Sequence, residues 1–369
     1  MVNQAPGYLF TDLVRAAYNY DSKICIIVGE VPDGIPNGVE IKLFNTYNRN
    51  GNFNRFISWM LFTIKSSLYI FFRRKTILSI LCVTNPPLML AVLPFFKIPY
   101  SILLYDMYPQ ILASTNILDR KSLMYRMLQK ISCRAYNQSQ CVFPISHSML
   151  SELNNQCKNS CRAHLVPLWH NVKVQNVSLE PKKNVFERFG ISASFIVMYA
   201  GNFGSTHPLE DLIKASDFLL DESIHILLVG GGAKEKLLKK QSINRDNVTI
   251  LPFQNELSFV ELLGSARVAV VCLDSKSSAY SVPSKTFNAM AHGKPILLIA
   301  SRDAEISRLV DDNAAGIVID PGNPRKVASS ILKFKKDEAF RVQSSSNSLS
   351  LSDNYTKKNA DLIISDWLS

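Results

Sequence analysis

Phe195-Ile-Val-Met-Tyr-Ala-Gly-Asn-Phe-Gly204 runs apolar for six residues and then breaks into a loop carrying two glycines. Uninterrupted apolar character of that length predicts a strand buried on both faces, as in a parallel sheet. Glycines just past its end predict a loop where backbone can approach a ligand closely. Similar short runs recur at residues 225–229, 248–251, 268–272, 295–300 and 316–319. Between them lie segments of helical period, such as Leu209, Leu212, Ile213, Leu219 and Leu220 on one stripe. Six short strands alternating with helices predict a doubly wound parallel sheet. Ligands of such sheets bind outside the carboxyl ends of the strands.

The first half repeats the alternation. Helices are predicted at residues 8–18, 53–72 and 123–134, and strands at 23–28, 77–83, 100–105 and 141–145. A helix comes first where a central strand would normally stand, so the first strand is expected to be missing. The resulting organisation is an N-terminal Rossmann-like domain over residues 1–170 and a C-terminal one over 171–345. A tail, 346–369, ends in Leu362, Ile363, Ile364, Trp367 and Leu368 and is expected to return to the first domain. Two domains suit 369 residues, since single cores stop growing near roughly 250–300.

Composition narrows the class. Hydrophobic residues make up 47% and charged residues 19%, which predicts a globular chain with a large core. Seven scattered cysteines read as reduced thiols rather than a disulfide framework. Cys157 and Cys161 lack the second pair that a zinc finger needs. The opening residues have no secretory-signal pattern. The apolar tract 59–72 is too short to span a bilayer. Residues 1–170 hold 17 Lys/Arg against 8 Asp/Glu, a net +9, whereas 171–369 hold 24 against 22, a net +2. A basic first half points to an anionic partner, a membrane surface or a phosphorylated acceptor. No ribonucleoprotein, helix-turn-helix or zinc motif accompanies the charge, so nucleic acid is not expected.

Residues Ser281-Val-Pro-Ser-Lys-Thr-Phe-Asn-Ala-Met-Ala-His-Gly-Lys-Pro295 predict a helix capped by Ser281, with Pro283 in its first turn and Gly293-Lys-Pro295 at its end. Phe287, Met290 and Ala291 form its buried stripe. Lys285 then falls in the first turn, beside the positive end of the helix dipole, where a cation is disfavoured. Either an anion such as a diphosphate docks there, or the side chain points to solvent. Asn288 shares a face with Ser284 and Lys285. It is placed to reach a nucleotide ribose, or it is a surface residue. Gly201 and Gly204 close the first strand of this half. Val229-Gly-Gly-Gly-Ala233 closes the next, where a structural turn is the simpler reading.

Tyr199-Ala-Gly-Asn-Phe-Gly204, Leu227-Leu-Val-Gly-Gly-Gly232, Val248-Thr-Ile-Leu-Pro-Phe-Gln254 and Val282-Pro-Ser-Lys-Thr-Phe-Asn288 occur together in one order. In that order and spacing residues 164–340 resemble the donor domain of glycosyltransferase family 4, the retaining enzymes of the GT-B fold. They most resemble the subgroup that builds bacterial surface polysaccharides. Leu103-Leu-Tyr-Asp-Met-Tyr-Pro109 and Phe143-Pro-Ile-Ser146 carry the likeness into the first half. The resemblance implies an α/β GT-B molecule, two Rossmann-like doubly wound parallel-sheet domains with a cleft between them. It implies transfer of a sugar from a nucleotide-sugar, a UDP-sugar, to a polyprenyl-diphosphate-linked saccharide in O-antigen, capsule or exopolysaccharide synthesis. Such an enzyme would work in the cytoplasm, peripherally on the inner face of the cell membrane. No cofactor and no metal are expected, the nucleotide-sugar being a substrate.

By the same resemblance Lys285 stabilises the diphosphate leaving group and Asn288 contacts the ribose, with Ser284 beside them. Gly201, Asn202 and Gly204 lie by the phosphates, and Pro252, Phe253 and Gln254 near the base. Asp106 positions or deprotonates the acceptor. Three departures stand out. Two glutamates that many members carry eight residues apart read here as Tyr280 and Asn288. The family's Arg and Lys of the first loop read as Asn202 and His207, leaving Lys285 as the main cation. The phosphate loop of the first domain is reduced to Pro6-Gly7. A truncated first domain opens an alternative, a non-catalytic GT-B relative acting as a partner subunit. For the membrane, residues 53–75 mix Trp59, Phe62, Phe71 and Phe72 with Arg73-Arg-Lys75, as an interfacial helix or a core helix would.

Overall fold

A computed structural model describes residues 1–20, 23–48, 51–157, 161–172, 185–204, 207–220, 222–274, 280 and 282–369. The chain divides into two compact units. Unit 1 holds Met1–Trp169, Ala279–Val282 and Lys357–Ser369; unit 2 holds His170–Ser278 and Pro283–Thr356.

In unit 1 the elements run β1 (Val2–Asn3), α1 (Tyr8–Asn19), β2 (Cys25–Val28), β3 (Glu40–Leu43), α2 (Asn52–Arg73), β4 (Ile80–Val83), α3 (Met89–Val92), β5 (Tyr100–Leu104), α4 (Gln110–Ser114), α5 (Leu123–Gln138), β6 (Val142–Pro144) and α6 (His147–Cys157). The strands form one parallel sheet in the order β3-β2-β1-β4-β5-β6. The expected absence of a first strand is thereby corrected. Val2 and Asn3 are buried in the centre of the sheet, paired with Ile27, Val28 and Cys82. The Met1 ammonium donates to the Cys25 carbonyl at 2.7 Å, and the Ile27 amide donates to the Met1 carbonyl at 2.9 Å. Two residues, one of them polar, leave no hydrophobic run for a sequence reading to find.

Unit 2 follows with β7 (Phe195–Asn202), α7 (Leu209–Ala215), β8 (Ile224–Gly231), α8 (Glu235–Ser242), β9 (Val248–Leu251), α9 (Glu256–Ser265), β10 (Val268–Cys272), α10 (Lys285–Ala291), β11 (Ile296–Ile299), α11 (Glu305–Asp312), β12 (Gly316–Ile319), α12 (Pro324–Lys336) and α13 (Glu338–Ser352). Its sheet is parallel in the order β12-β11-β10-β7-β8-β9. Both sheets thus reverse direction around their first strand, the arrangement that opens a crevice at the carboxyl edge. Val197, Tyr199, Ile226, Leu228, Val270 and Leu297 lie in one hydrophobic cluster of unit 2 with α7 and α12 residues such as Leu212 and Ile331. On the opposite face Met198, Leu227 and Ala269 pack with Leu262 of α9 and Ala289 of α10. Burial on both faces explains why these strands carry unbroken apolar runs.

The last helix, α14 (Lys358–Leu368), belongs to unit 1 and packs on α1, whereas α13 belongs to unit 2. Trp367 anchors α14 through its indole N–H, which donates to Ser79 Oγ at 2.8 Å.

Candidate functional site

The carboxyl ends of β7 and β8, the loop after β9 and the start of α10 enclose a cavity of 190 Å³. Gly201, Phe253, Gln254, Ser284, Lys285 and Asn288 line it, with Ala200, Val229 and Phe259. It therefore gathers six of the sequence-predicted residues, drawn from separated segments of chain. Asn202 and Pro252 adjoin lining residues along the chain and Gly204 lies three residues beyond Gly201, but none of the three lines the cavity.

Lys285 is the first residue of α10 and does not point to solvent. Its ammonium lies 4.1 Å from the centroid of the Tyr199 ring and donates to the Tyr199 hydroxyl. The Tyr199 hydroxyl donates in turn to the Asn202 carbonyl at 2.8 Å. Burial disfavours the charged form, and the Lys285 pKa falls from 10.5 to about 8. Among the described residues no carboxylate pairs with it at ion-pair distance. The nearby Lys234, in contrast, is neutralised by Glu210 at 2.9 Å. His207 accepts from the Gly204 amide at 3.3 Å through Nδ1. Burial, and then the Lys285 ammonium, hold His207 down to about 3, so it is neutral. Among the described residues lining the cavity, Lys285 is the one positive charge, and it is desolvated.

Glycine is needed around this charge for steric reasons. Gly201 has φ +136°, and a Cβ there would lie 3.2 Å from Lys285 Nζ. Gly230, its partner across the sheet, has φ +145°, and a Cβ would fall 1.9 Å from the Gly201 carbonyl oxygen. The Val229-Gly-Gly-Gly232 segment is therefore a structural close approach that lets β8 reach the end of β7.

Asn288 Oδ1 accepts from the Asn171 amide at 2.9 Å, and the Asn288 carbonyl bonds the His292 ring at 2.8 Å. Its position on the cavity wall is thus fixed from two sides. Ser284 precedes α10 without a side-chain capping bond. Ser281, the expected cap, lies outside the described residues. Phe253 stands 60% exposed beside the cavity, and Gln254 Nε2 donates to the Pro252 carbonyl at 2.9 Å.

Sequence reasoning places Tyr199 within a motif but gives it no role in the site. Its alternation along β7 tells which face it occupies, not that a lysine 86 residues on rests over its ring.

Asp106 and Gly7 lie in unit 1. Asp106 follows β5, and its amide and that of Tyr105 donate to Thr84 Oγ1 at 3.3 and 3.1 Å. Gly7 caps α1 in extended conformation, accepting from the Phe10 and Thr11 amides. The two positions that read Tyr280 and Asn288 part company: Tyr280 groups with unit 1, where Arg120 donates to its hydroxyl at 2.6 Å. Among the described residues no group of three or more His, Cys, Asp or Glu is arranged to hold a metal ion.

Comparison with known proteins bears on this geometry. Residues 181–350 match the family model described as glycosyl transferases group 1. The chain is 25% identical over 315 residues to the probable glycosyltransferase WbjE of Pseudomonas aeruginosa, covering 82% of this chain and 78% of that protein. It is 29% identical over 118 residues to the putative colanic acid biosynthesis glycosyl transferase WcaI of Escherichia coli (strain K12), 31% of this chain and 29% of that protein. Among solved structures it resembles WaaG, a glycosyltransferase involved in lipopolysaccharide biosynthesis, with a TM-score of 0.72 at 14% identity over 99% of this chain and 98% of that one. It also resembles Anabaena Alr3699/HepE in complex with UDP, with a TM-score of 0.70 at 14% identity over 100% and 98%. These matches support the group 1, GT-B glycosyltransferase family. With the two parallel six-stranded sheets they give a two-domain Rossmann-like α/β fold.

Proposed function

We propose that the protein is a retaining glycosyltransferase of family 4 that binds a UDP-sugar in the unit 2 cavity and transfers the sugar to a polyprenyl-diphosphate-linked saccharide. The observation that carries this reading is the Lys285 ammonium, buried in a cavity with no carboxylate among the described residues to neutralise it. Such a charge calls for an anionic ligand. A diphosphate beside Gly201 and Ser284 supplies one, and Asn288 stands where a ribose hydroxyl would follow. Phe253 and Gln254 then flank the base. Anabaena HepE, similar to this chain in fold, has been solved in complex with UDP, which supports that choice of nucleotide.

Retaining transfer of this kind asks for no protein nucleophile. Departure of the diphosphate builds negative charge, and a preplaced ammonium stabilises that charge in a dry site. Lys285 supplies this charge and the cavity walls fix the donor; Asp106 orients or deprotonates the acceptor hydroxyl. The reaction needs no cofactor or metal on this reading, the nucleotide-sugar being a substrate.

The proposed acceptor is lipid-linked, and α2 supports it. Phe53, Ile64, Leu68 and Phe72 of this helix are exposed while Trp59, Phe62 and Ile70 pack inward. Arg73 closes the helix and Arg74 lies 4.4 Å from the Phe71 ring. An apolar outer face with a basic end suits the headgroup region of an anionic membrane. Among the described residues no helix is long and apolar enough to cross one. The involvement of WaaG in lipopolysaccharide biosynthesis, and the putative one of WcaI in colanic acid biosynthesis, favour a surface polysaccharide as product. The alternative of a non-catalytic partner subunit rested on a missing first strand, and β1 takes away that ground.

The test is a panel of UDP-, GDP- and TDP-sugars offered with a polyprenyl-diphosphate saccharide and read by mass spectrometry. One UDP-sugar is expected to add one sugar to the lipid. Failure of every donor to extend any lipid acceptor would overturn the reading.

A further inference from the structure

Three of the seven cysteines converge in unit 1, apart from the cavity residues. Cys133 lies in α5, Cys157 closes α6, and Cys161 follows four residues later. Cys133 Sγ is 2.9 Å from Cys157 Sγ, and the thiols of Cys157 and Cys161 are hydrogen-bonded to each other. Cys157 is buried between two sulfur partners that are each partly exposed. Tyr136 is buried nearby, and burial first, then the surrounding sulfurs, keep its phenol neutral.

The three thiols are chemically unequal. Cys157 donates to Cys161, and this hydrogen bond draws the Cys161 pKa from 9.0 down to about 7. Cys157 itself is raised, by that same bond and by burial, and keeps its proton. A partly exposed thiolate beside a protonated, buried neighbour is the pairing found where one cysteine is oxidised and a second resolves it.

We propose that Cys133, Cys157 and Cys161 form a peroxide-responsive thiol relay that ends in a disulfide at Cys157. Hydrogen peroxide is the oxidant. The Cys161 thiolate attacks one peroxide oxygen, the O–O bond breaks, and the departing hydroxide takes up a proton to become water. Cys161 is left as a sulfenic acid. The Cys157 thiol then hands its proton to the sulfenic oxygen as its sulfur attacks the Cys161 sulfur; the S–O bond breaks, and that oxygen leaves as a second water when the disulfide forms. Cys133, already at Cys157, exchanges into that bond and releases Cys161 as a thiolate. Two thiols have lost two electrons and two protons to one peroxide. The product ties α5 to the end of α6. This inference is independent of the donor reading, since none of the three cysteines lines the unit 2 cavity.

The test treats the reduced, full-length protein with one equivalent of hydrogen peroxide at neutral pH, alkylates it and maps the peptides. The expected result is the loss of two hydrogens, a linkage joining Cys157 to Cys133 or Cys161, and full reversal by dithiothreitol. Cys161→Ser is expected to slow the reaction by at least about tenfold, because the thiol that enters the relay is gone. Cys157→Ser is expected to leave a sulfenic acid at Cys161 that dimedone traps. Cys161 is partly exposed, so the Ser variant at that position tests the relay even where Cys157→Ser fails to fold. Cys25, also partly exposed and outside the cluster, is the internal control. Oxidation of Cys161 no faster than of Cys25, or a disulfide that omits Cys157, would overturn the proposal.

Discussion

The proposed donor site turns on Lys285, and the surroundings of this residue make a prediction about pH. The ammonium rests on the Tyr199 ring with its pKa lowered to about 8 by burial. On the proposed reading its charged form is the one that receives the diphosphate. Above pH 8 the empty cavity holds a neutral amine, and binding must then recruit a proton. UDP affinity measured by calorimetry is therefore expected to be level below about pH 7.5 and to weaken steadily from about pH 8 to 9.5. Gly230 makes a second prediction. An alanine Cβ would collide with the Gly201 carbonyl and would sit at φ +145°. Gly230→Ala is expected to lower stability by more than about 2 kcal/mol in urea unfolding, through a mechanism that neither partner can relieve cheaply. At this scale sequence is a partial guide. Lys285, Ser284, Asn288, Gly201, Phe253 and Gln254 stand out from motif order and share one cavity. Tyr199 does not, because the contact that gives it a role spans the sheet.

Among the elements, legibility follows aliphatic composition more than burial. β10, buried along its length, matches its apolar run to the residue, and so do β9 and β12, the partly buried edges of the same sheet. β3, Glu40–Leu43, alternates polar and apolar residues, but as a four-residue edge strand exposed or half-buried along its length it offers too short a run for the pattern to stand out. α6, with Met149 and Leu153 buried but polar residues between, is also unread. α10 starts at Lys285, two residues after Pro283, and Ser284 between them already has helical angles but makes no side-chain cap. α2 carries the prediction of this scale. Charge reversal at Arg73, Arg74 and Lys75 is expected to reduce binding to anionic liposomes by roughly a hundredfold or more, at about 1 kcal/mol per basic residue near the surface. Flotation unchanged by the reversal would remove α2 from the membrane account while leaving the donor cavity untouched.

Across the whole molecule, buried histidines set the acid limit. Burial lowers His207 to about 3 and His225 to about 4, and it lowers His170 and His292 from their ordinary 6.5 as well. Below pH 6.5 the unfolded chain takes up protons that the folded chain refuses, so stability falls as pH drops from 6.5 toward 4. The midpoint of thermal unfolding is expected to fall over that window, and a midpoint that holds or rises down to about pH 5 would contradict it. Two parallel sheets with the same strand order make the chain a pair of Rossmann-like units, of which unit 2 holds the proposed donor site. The central claim is that Lys285 receives the donor diphosphate, and titration of UDP into wild type and Lys285→Ala at about pH 7 tests it most directly. The account predicts measurable binding to wild type and at least about tenfold weaker binding to the variant, the loss of a hydrogen bond between charged groups. UDP that fails to bind wild type, or binds both proteins equally, would contradict it.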